Sequence, residues 1–344
     1  MSDIITFQEE NPSLENYWRS VILFGNNVAS YKFVLAKSLL ELIEQGKTFV
    51  SLEELSVPFS KHICEHIAVS DRQATSSSSE FLDACRKFNN GEMSYDDLIR
   101  ITRTKGFNNV LDAFHNVNGS LLPVKFFEKI KDGKTTGIVL TDDVFKLGEI
   151  KFKKNLTHET EARWKLVETA WGLRLPASSL SINYDEKSKI LFVENSKIRR
   201  KNITSARAAL NGYQKGKCFY CFDDIEVTGD ENNNCDVDHF IPHALQQHTN
   251  ENLDGVWNLV LACENCNRGE NGKFAKVPAL KYLERLNKRN NFLISSHHPL
   301  RETLIQQTGN SDAERHRHLQ RMHDFAKGML IHTWETEEVQ EATF

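Results

Sequence analysis

The sequence predicts an α+β fold, with a mostly helical N-terminal region followed by a C-terminal half in which strands and helices alternate. Three observations carry this prediction. Residues from Tyr17 to Ile43 place Val21, Phe24, Val28, Tyr31, Val34, Leu39 and Leu42 at helical spacing. From about Leu121, short apolar runs rich in β-branched and aromatic residues replace that pattern. Two Cys-x-x-Cys pairs, Cys218–Cys221 and Cys263–Cys266, bracket one stretch of the second half, as in small metal-stapled modules.

Each element follows in order. Asn26 and Asn27 are positioned to break the first helical stretch into two helices. Ser51 is an N-cap for a second stretch running into Ile67, which Pro58 should interrupt or restart. The serine run 74–79 reads as a loop whose last member, Ser79, caps a helix beginning near Glu80. His62, Cys64 and His66 alternate without converging on one helix face, which makes them structural. Val124–Phe127 and Gly137–Leu140 read as strands around a turn at Asp132-Gly133. Thr157 is a cap for a helix carrying Trp164, Val167 and Trp171 on one face. A strand at Ile190–Val193 follows a turn at Asp185-Glu186. A helix from Ser205 to Tyr213 ends at Gly212 or Gly216. Pro278–Leu286 and Ala313–Lys327 close the chain as helices, and there is no internal repeat.

The 344 residues are too many for one small core and imply two or three domains. The expected division is 1–120, helical, and 121–344, carrying the cysteine pairs. A hydrophobic share of 40% with 26% charged residues is that of an ordinary globular protein. No run approaches the roughly 18 apolar residues of a membrane span. Met1-Ser2-Asp3-Ile4 has neither the basic nor the apolar region of a secretory signal. Seven cysteines, an odd number including two close pairs, favour metal binding in a reducing cytoplasm over disulfides. The net charge of −4 does not advertise a polyanionic partner, yet binding depends on local patches. Arg199, Arg200, Lys201, Arg207, Lys215 and Lys217 precede the motif, and Arg268, Lys273, Lys276, Lys281, Arg285, Lys288 and Arg289 follow it. Phosphate contact and a merely solvated face are equally weighted readings for that group.

Four thiolates from two Cys-x-x-Cys turns make a closed tetrahedral site, so a zinc held there is structural. Cys235 lacks a pair partner and is a bystander. Between the pairs lies Asp236-Val237-Asp238-His239-Phe240-Ile241-Pro242, whose apolar flanks suggest a short strand. His239 has the right intrinsic pKa to take a proton from water near neutral pH. Asp238 and Asn267 offer hard oxygen ligands to Mg²⁺ or Mn²⁺. Asn258 opens a second strand and can tie down the long connecting loop.

Cys218-x-x-Cys221, Asp238-His239-Phe-Ile-Pro242, Asn258-Leu259 and Cys263-x-x-Cys266-Asn267-Arg268-Gly269 together resemble the HNH endonucleases, in their zinc-stapled ββα-metal branch. The resemblance spans about Gly216 to Lys273, with the core placed at 216–274. It implies a ββα module with His239 as general base, Asp238 and Asn267 on one catalytic metal, and Asn258 orienting the loop. It also implies metal-dependent hydrolysis of DNA, with the prokaryotic settings of restriction or phage defence. The chain departs from the pattern after Asn267-Arg268-Gly269. Glu270 intervenes and Lys273 comes late, so Arg268 is the preferred phosphate contact, with Lys273 and the additional His243 as further substrate-binding candidates. The N-terminal helices could dock a partner protein or a second copy. Two rivals stay open: a zinc-stabilised nucleic-acid-binding module without catalysis, and an HNH nuclease directed at RNA.

Overall fold

The structure is a computed structural model that describes residues 13–24, 29–76, 79–117, 119–132, 135–150, 153–172, 181–195, 198–228, 235–296, 298–337 and 339–344. The chain forms two compact units, Pro12–Arg174 and Leu175–Phe344. The change of pattern at residue 121 therefore falls inside the first unit. The cause is strand register. The strands after Leu121 pair with a short strand from the helical part, which ties them to it.

In the N-terminal unit, α1 (Leu14–Phe24) and α2 (Tyr31–Ile43) are separate helices. The Asn26-Asn27 break lies outside the described residues. After β1 (Phe49–Ser51), α3 (Leu52–Val69) starts with the expected Ser51 cap, completed by Glu54 into a capping box. The helix runs through Pro58 without restarting, against expectation. Phe59, Ile63 and Ile67 along it are buried, and that packing outweighs a proline cost of about 3 kcal/mol. Ser79 accepts from the Leu82 amide and caps α4 (Glu80–Asn89), and α5 (Tyr95–Ile101) follows. β2 (Phe127–Asp132) and β3 (Thr135–Leu140) form an antiparallel sheet in the order β1-β3-β2. The first strand begins at Phe127 rather than Val124. The Gly133 half of the expected turn lies outside the described residues. A Cβ on Gly137 would stand 2.3 Å from the Val50 carbonyl oxygen, so only glycine lets β1 approach. α6 (Asp142–Gly148) precedes α7 (Lys153–Gly172). Thr157 is inside α7 rather than its cap, because the helix begins a turn earlier. Trp18 packs edge-on to Phe114 and Phe126 in the core.

In the C-terminal unit, β4 (Ile182–Asp185), β5 (Ile190–Asn195) and β6 (Ile198–Ser205) make an antiparallel meander. The Asp185 carboxylate accepts from the Lys187 and Ser188 amides and shapes the expected turn. α8 (Ala206–Gln214) ends with Lys215 in the left-handed region and Gly216 beyond it, so Gly212 is interior. Then come β7 (Cys235–His239), β8 (Leu259–Cys263) and α9 (Glu264–Arg268). β9 (Val277–Pro278) pairs in parallel with the late strand β10 (Thr333–Trp334). Three helices lie between them: α10 (Leu280–Ser295), the unexpected α11 (Arg301–Thr308) and α12 (Asp312–Met329). No described helix is long and apolar enough to cross a membrane.

Candidate active site

Cys218, Cys221, Cys263 and Cys266 converge, with their sulfur atoms all within 4.8 Å of one another and all four residues buried. Backbone amides point at the sulfurs. Tyr220 N and Cys263 N approach Cys218 Sγ at 3.4 and 3.3 Å, and Asp223 N and Cys266 N approach Cys221 and Cys263 at 3.5 Å. Four soft donors with amides arranged around them fit a closed tetrathiolate zinc site. Arg285 braces this knuckle. Its guanidinium donates to the Phe219 and Tyr220 carbonyls and lies over the Phe222 ring. Cys235 is buried apart from the cluster, and burial pushes its thiol up to about 12.

β7 and β8 pair with His239 opposite Leu259 and Cys235 opposite Cys263. Side chains alternate along β7, so Asp236 and Asp238 share one face while Cys235, Val237 and His239 share the other. On the aspartate face every carboxylate is engaged. Asp238 is buried, with one oxygen 3.0 Å from the Lys273 ammonium and the other accepting from Tyr220 Oη at 2.6 Å. Lys273 also donates to the His239 carbonyl at 2.8 Å. Asn267 Nδ2 donates to Asp236 at 3.1 Å, and Arg268 Nε lies 3.1 Å from the same oxygen.

On the other face, His239 is buried with Nε2 2.8 Å from Asp254 Oδ1. Nδ1 makes no hydrogen bond among the described residues. His243 Nε2 stands 3.5 Å from the same Asp254 oxygen, and its Nδ1 is 4.0 Å from Glu186. The His239 hydrogen bond holds the Asp254 carboxyl below its usual value, and the charge of nearby His243 adds to this. The Tyr184 ring meets His239 edge-on, with centroids 5.9 Å apart.

Asn258 is buried and bonds backbone at Ile241 and Leu253. Its side chain accepts from the Ile241 amide at 2.7 Å and donates to the Ile241 and Leu253 carbonyls at 2.9 Å each. These bonds hold both ends of the loop that carries His243 and Asp254. Gly269 also has a reason: a Cβ there would sit 2.7 Å from the Asn265 carbonyl oxygen.

Asp238 bonds Lys273 and Tyr220, while Asn267 meets Asp236, a residue without an expected role. Lys273 is fully buried on Asp238 instead of facing solvent. Arg285, Arg289 and Lys215 donate to backbone carbonyls inside the unit and are structural, not phosphate contacts. Arg268 is exposed. Sequence reasoning missed Asp254, Tyr220 and Tyr184. Asp254 carried a faint signal, a carboxylate in the loop that Asn258 anchors. Tyr220 sits between two metal ligands and reads as a spacer. Tyr184 had no signal, since it lies 34 residues before Cys218, the first of the clustered cysteines.

A strand pair and helix at a four-cysteine cluster that fits zinc, with His239 on the first strand, Asn258 just before the second and Asn267 on the helix, define a ββα module. Residues 218–278 match the family model described as HNH endonuclease. No curated protein and no solved structure matches the chain.

Proposed function

We propose that the chain is a metal-dependent endonuclease that hydrolyses DNA phosphodiester bonds with His239 as general base. The observation carrying this is the state of His239. Within an HNH segment, it is buried, fixed through Nε2 by Asp254, and has its other ring nitrogen unengaged. A carboxylate on one nitrogen orients the ring and stabilises the imidazolium that forms when the other nitrogen takes a proton from water.

The oxygen donors suit a hard divalent ion by type. Asp236 and Asp238 share one strand face, and Asn267 already touches the first. Asp238 and Asn267, joined by Asp236, would hold Mg²⁺ or Mn²⁺. Such an ion, when bound, neutralises phosphate charge and supports the departing 3′ oxygen. The Lys273 ammonium balances the Asp238 charge. Exposed Arg268 and half-exposed His243 are the groups proposed to meet phosphate. Products should carry 5′-phosphate and 3′-hydroxyl ends. The setting we propose, restriction or phage defence, rests on the family resemblance.

The test is supercoiled plasmid incubated with the protein and Mg²⁺ or Mn²⁺, with EDTA, and with His239→Ala, beside structured RNA. Metal-dependent nicking of DNA that vanishes in the variant supports the reading. Cleavage of RNA alone changes the substrate. Retained binding without cleavage by a zinc-loaded protein returns the module to a binding role.

A further inference from the structure

The aspartate face of β7 is closed on itself, but the His239 face is not. Tyr184 is 3% exposed and its hydroxyl has no hydrogen-bond partner. Tyr184 itself packs on the His239 ring. An orphaned hydroxyl able to donate a hydrogen bond therefore belongs to the residue that packs on the proposed base.

A buried hydroxyl left unpaired costs about 1–3 kcal/mol, so an orphan persists where something outside the chain completes it. The donor suggests what that is. A phenolic hydroxyl without a partner donates to an oxyanion. Glu186, Asp254 and Asp185 also act on Tyr184 with negative charge, but the ring nitrogens of His239 and His243 stand against Asp254, His243 faces Glu186, and Arg200 pairs with Asp185.

We propose that Tyr184 is a substrate-contacting residue of this site, donating its hydroxyl to a nonbridging oxygen of the phosphodiester on which His239 acts. This rests on the nuclease reading above. It extends the working surface beyond residues 218–278 to the meander β4–β6, which supplies Tyr184 from β4.

The test is Tyr184→Phe, which keeps the ring and removes only the hydroxyl, in the full chain. Single-turnover plasmid cleavage should slow by roughly tenfold or more, as for a lost hydrogen bond to a charged group. Melting should stay at or above that of the wild type, because the deleted hydroxyl has no partner in the free protein. In a His239→Ala background, duplex binding by fluorescence anisotropy should weaken on adding Tyr184→Phe. Cleavage within about twofold of wild type, or a fall in melting with unchanged cleavage, overturns the proposal and makes the hydroxyl a structural anchor for water. A wild type that never cuts defeats the nuclease reading instead. The anisotropy arm then decides Tyr184 alone, and unchanged affinity defeats it.

Discussion

Each unit buries a histidine against carboxylates, and the two are held in different ways. In the N-terminal unit His66 is clamped on both nitrogens, Nδ1 2.9 Å from Glu168 and Nε2 3.2 Å from Glu161. It also lies flat on Trp164, 3.3 Å between centroids. In the C-terminal unit His239 is held through Nε2 alone, and its ring meets Tyr184 at an angle. A histidine bonded on both nitrogens has no site left for chemistry and serves as scaffold. One fixed on a single nitrogen is oriented but still able to accept a proton. Burial and a carboxylate partner do not separate the two roles; the state of the second nitrogen does.

The largest expected effect tests whether the units differ in what stabilises them. The cysteine cluster is the only group of metal-binding type among the described residues, and it lies in the C-terminal unit. Structural zinc in such clusters is worth about 10 kcal/mol or more of folding free energy. Cys263→Ser, or a strong chelator, should strip the zinc and abolish cooperative unfolding of the C-terminal unit, followed by calorimetry with metal analysis. The transition of the N-terminal unit should persist. Equal loss of both transitions breaks the comparison.

Next in size is the exchange of the two histidines. His239→Ala should cut cleavage by about 10²- to 10⁴-fold with little change in melting. His66→Ala should do the reverse, costing about 2–4 kcal/mol of stability as the Glu161–Glu168 cluster loses its central partner, while cleavage per folded molecule holds. Urea titrations beside plasmid assays read both. A His66 variant that is stable but inactive would sink the scaffold assignment.

Lys273→Met sharpens the picture of the aspartate face. It leaves Asp238 buried with only the Tyr220 hydroxyl, and breaking such a pair costs roughly 3 kcal/mol. Added Mg²⁺ should recover part of that loss, which thermal melts with and without the ion would measure. A loss indifferent to Mg²⁺ would separate Asp238 from the metal.

The site was legible where chemistry is written in adjacent residues. The cysteine pairs, Asp238-His239, Asn258 and Asn267 announce themselves by spacing, and the strands bearing them are short and apolar. Other parts depend on which chain segment arrives from elsewhere. Asp254 reaches His239 across a loop that Asn258 closes. Tyr184 comes from the β4–β6 meander. Lys273, an unremarkable cation in the sequence, folds inward because Asp238 needs a countercharge. The same logic explains the fold. Capping at Ser51 and Ser79 is local and readable. The division near residue 174 depends on β1 pairing with β3 across more than eighty residues, and no local pattern encodes that.

The smallest effect concerns pH, and it separates histidines within the N-terminal unit. His115 is buried, and its Nε2 accepts the Phe126 amide at 2.9 Å, which requires an unprotonated nitrogen. Burial, with Lys125 and Lys32 nearby, lowers its value to about 4. The unfolded chain, with a value near 6.5, takes up the proton first. Stability should therefore fall as pH drops from about 6.5 to about 4, by up to about 3 kcal/mol, and level off below. His66 has the opposite sign. Burial opposes its charge, but Glu161 and Glu168 outweigh burial and raise its value, so its contribution is present at low pH and is lost as pH rises past the raised value. Urea midpoints of the N-terminal transition between pH 4 and 7 should show the acid-side slope, and His115→Gln should flatten it. A slope unchanged in that variant would mean that a group other than the His115 imidazole takes up the proton.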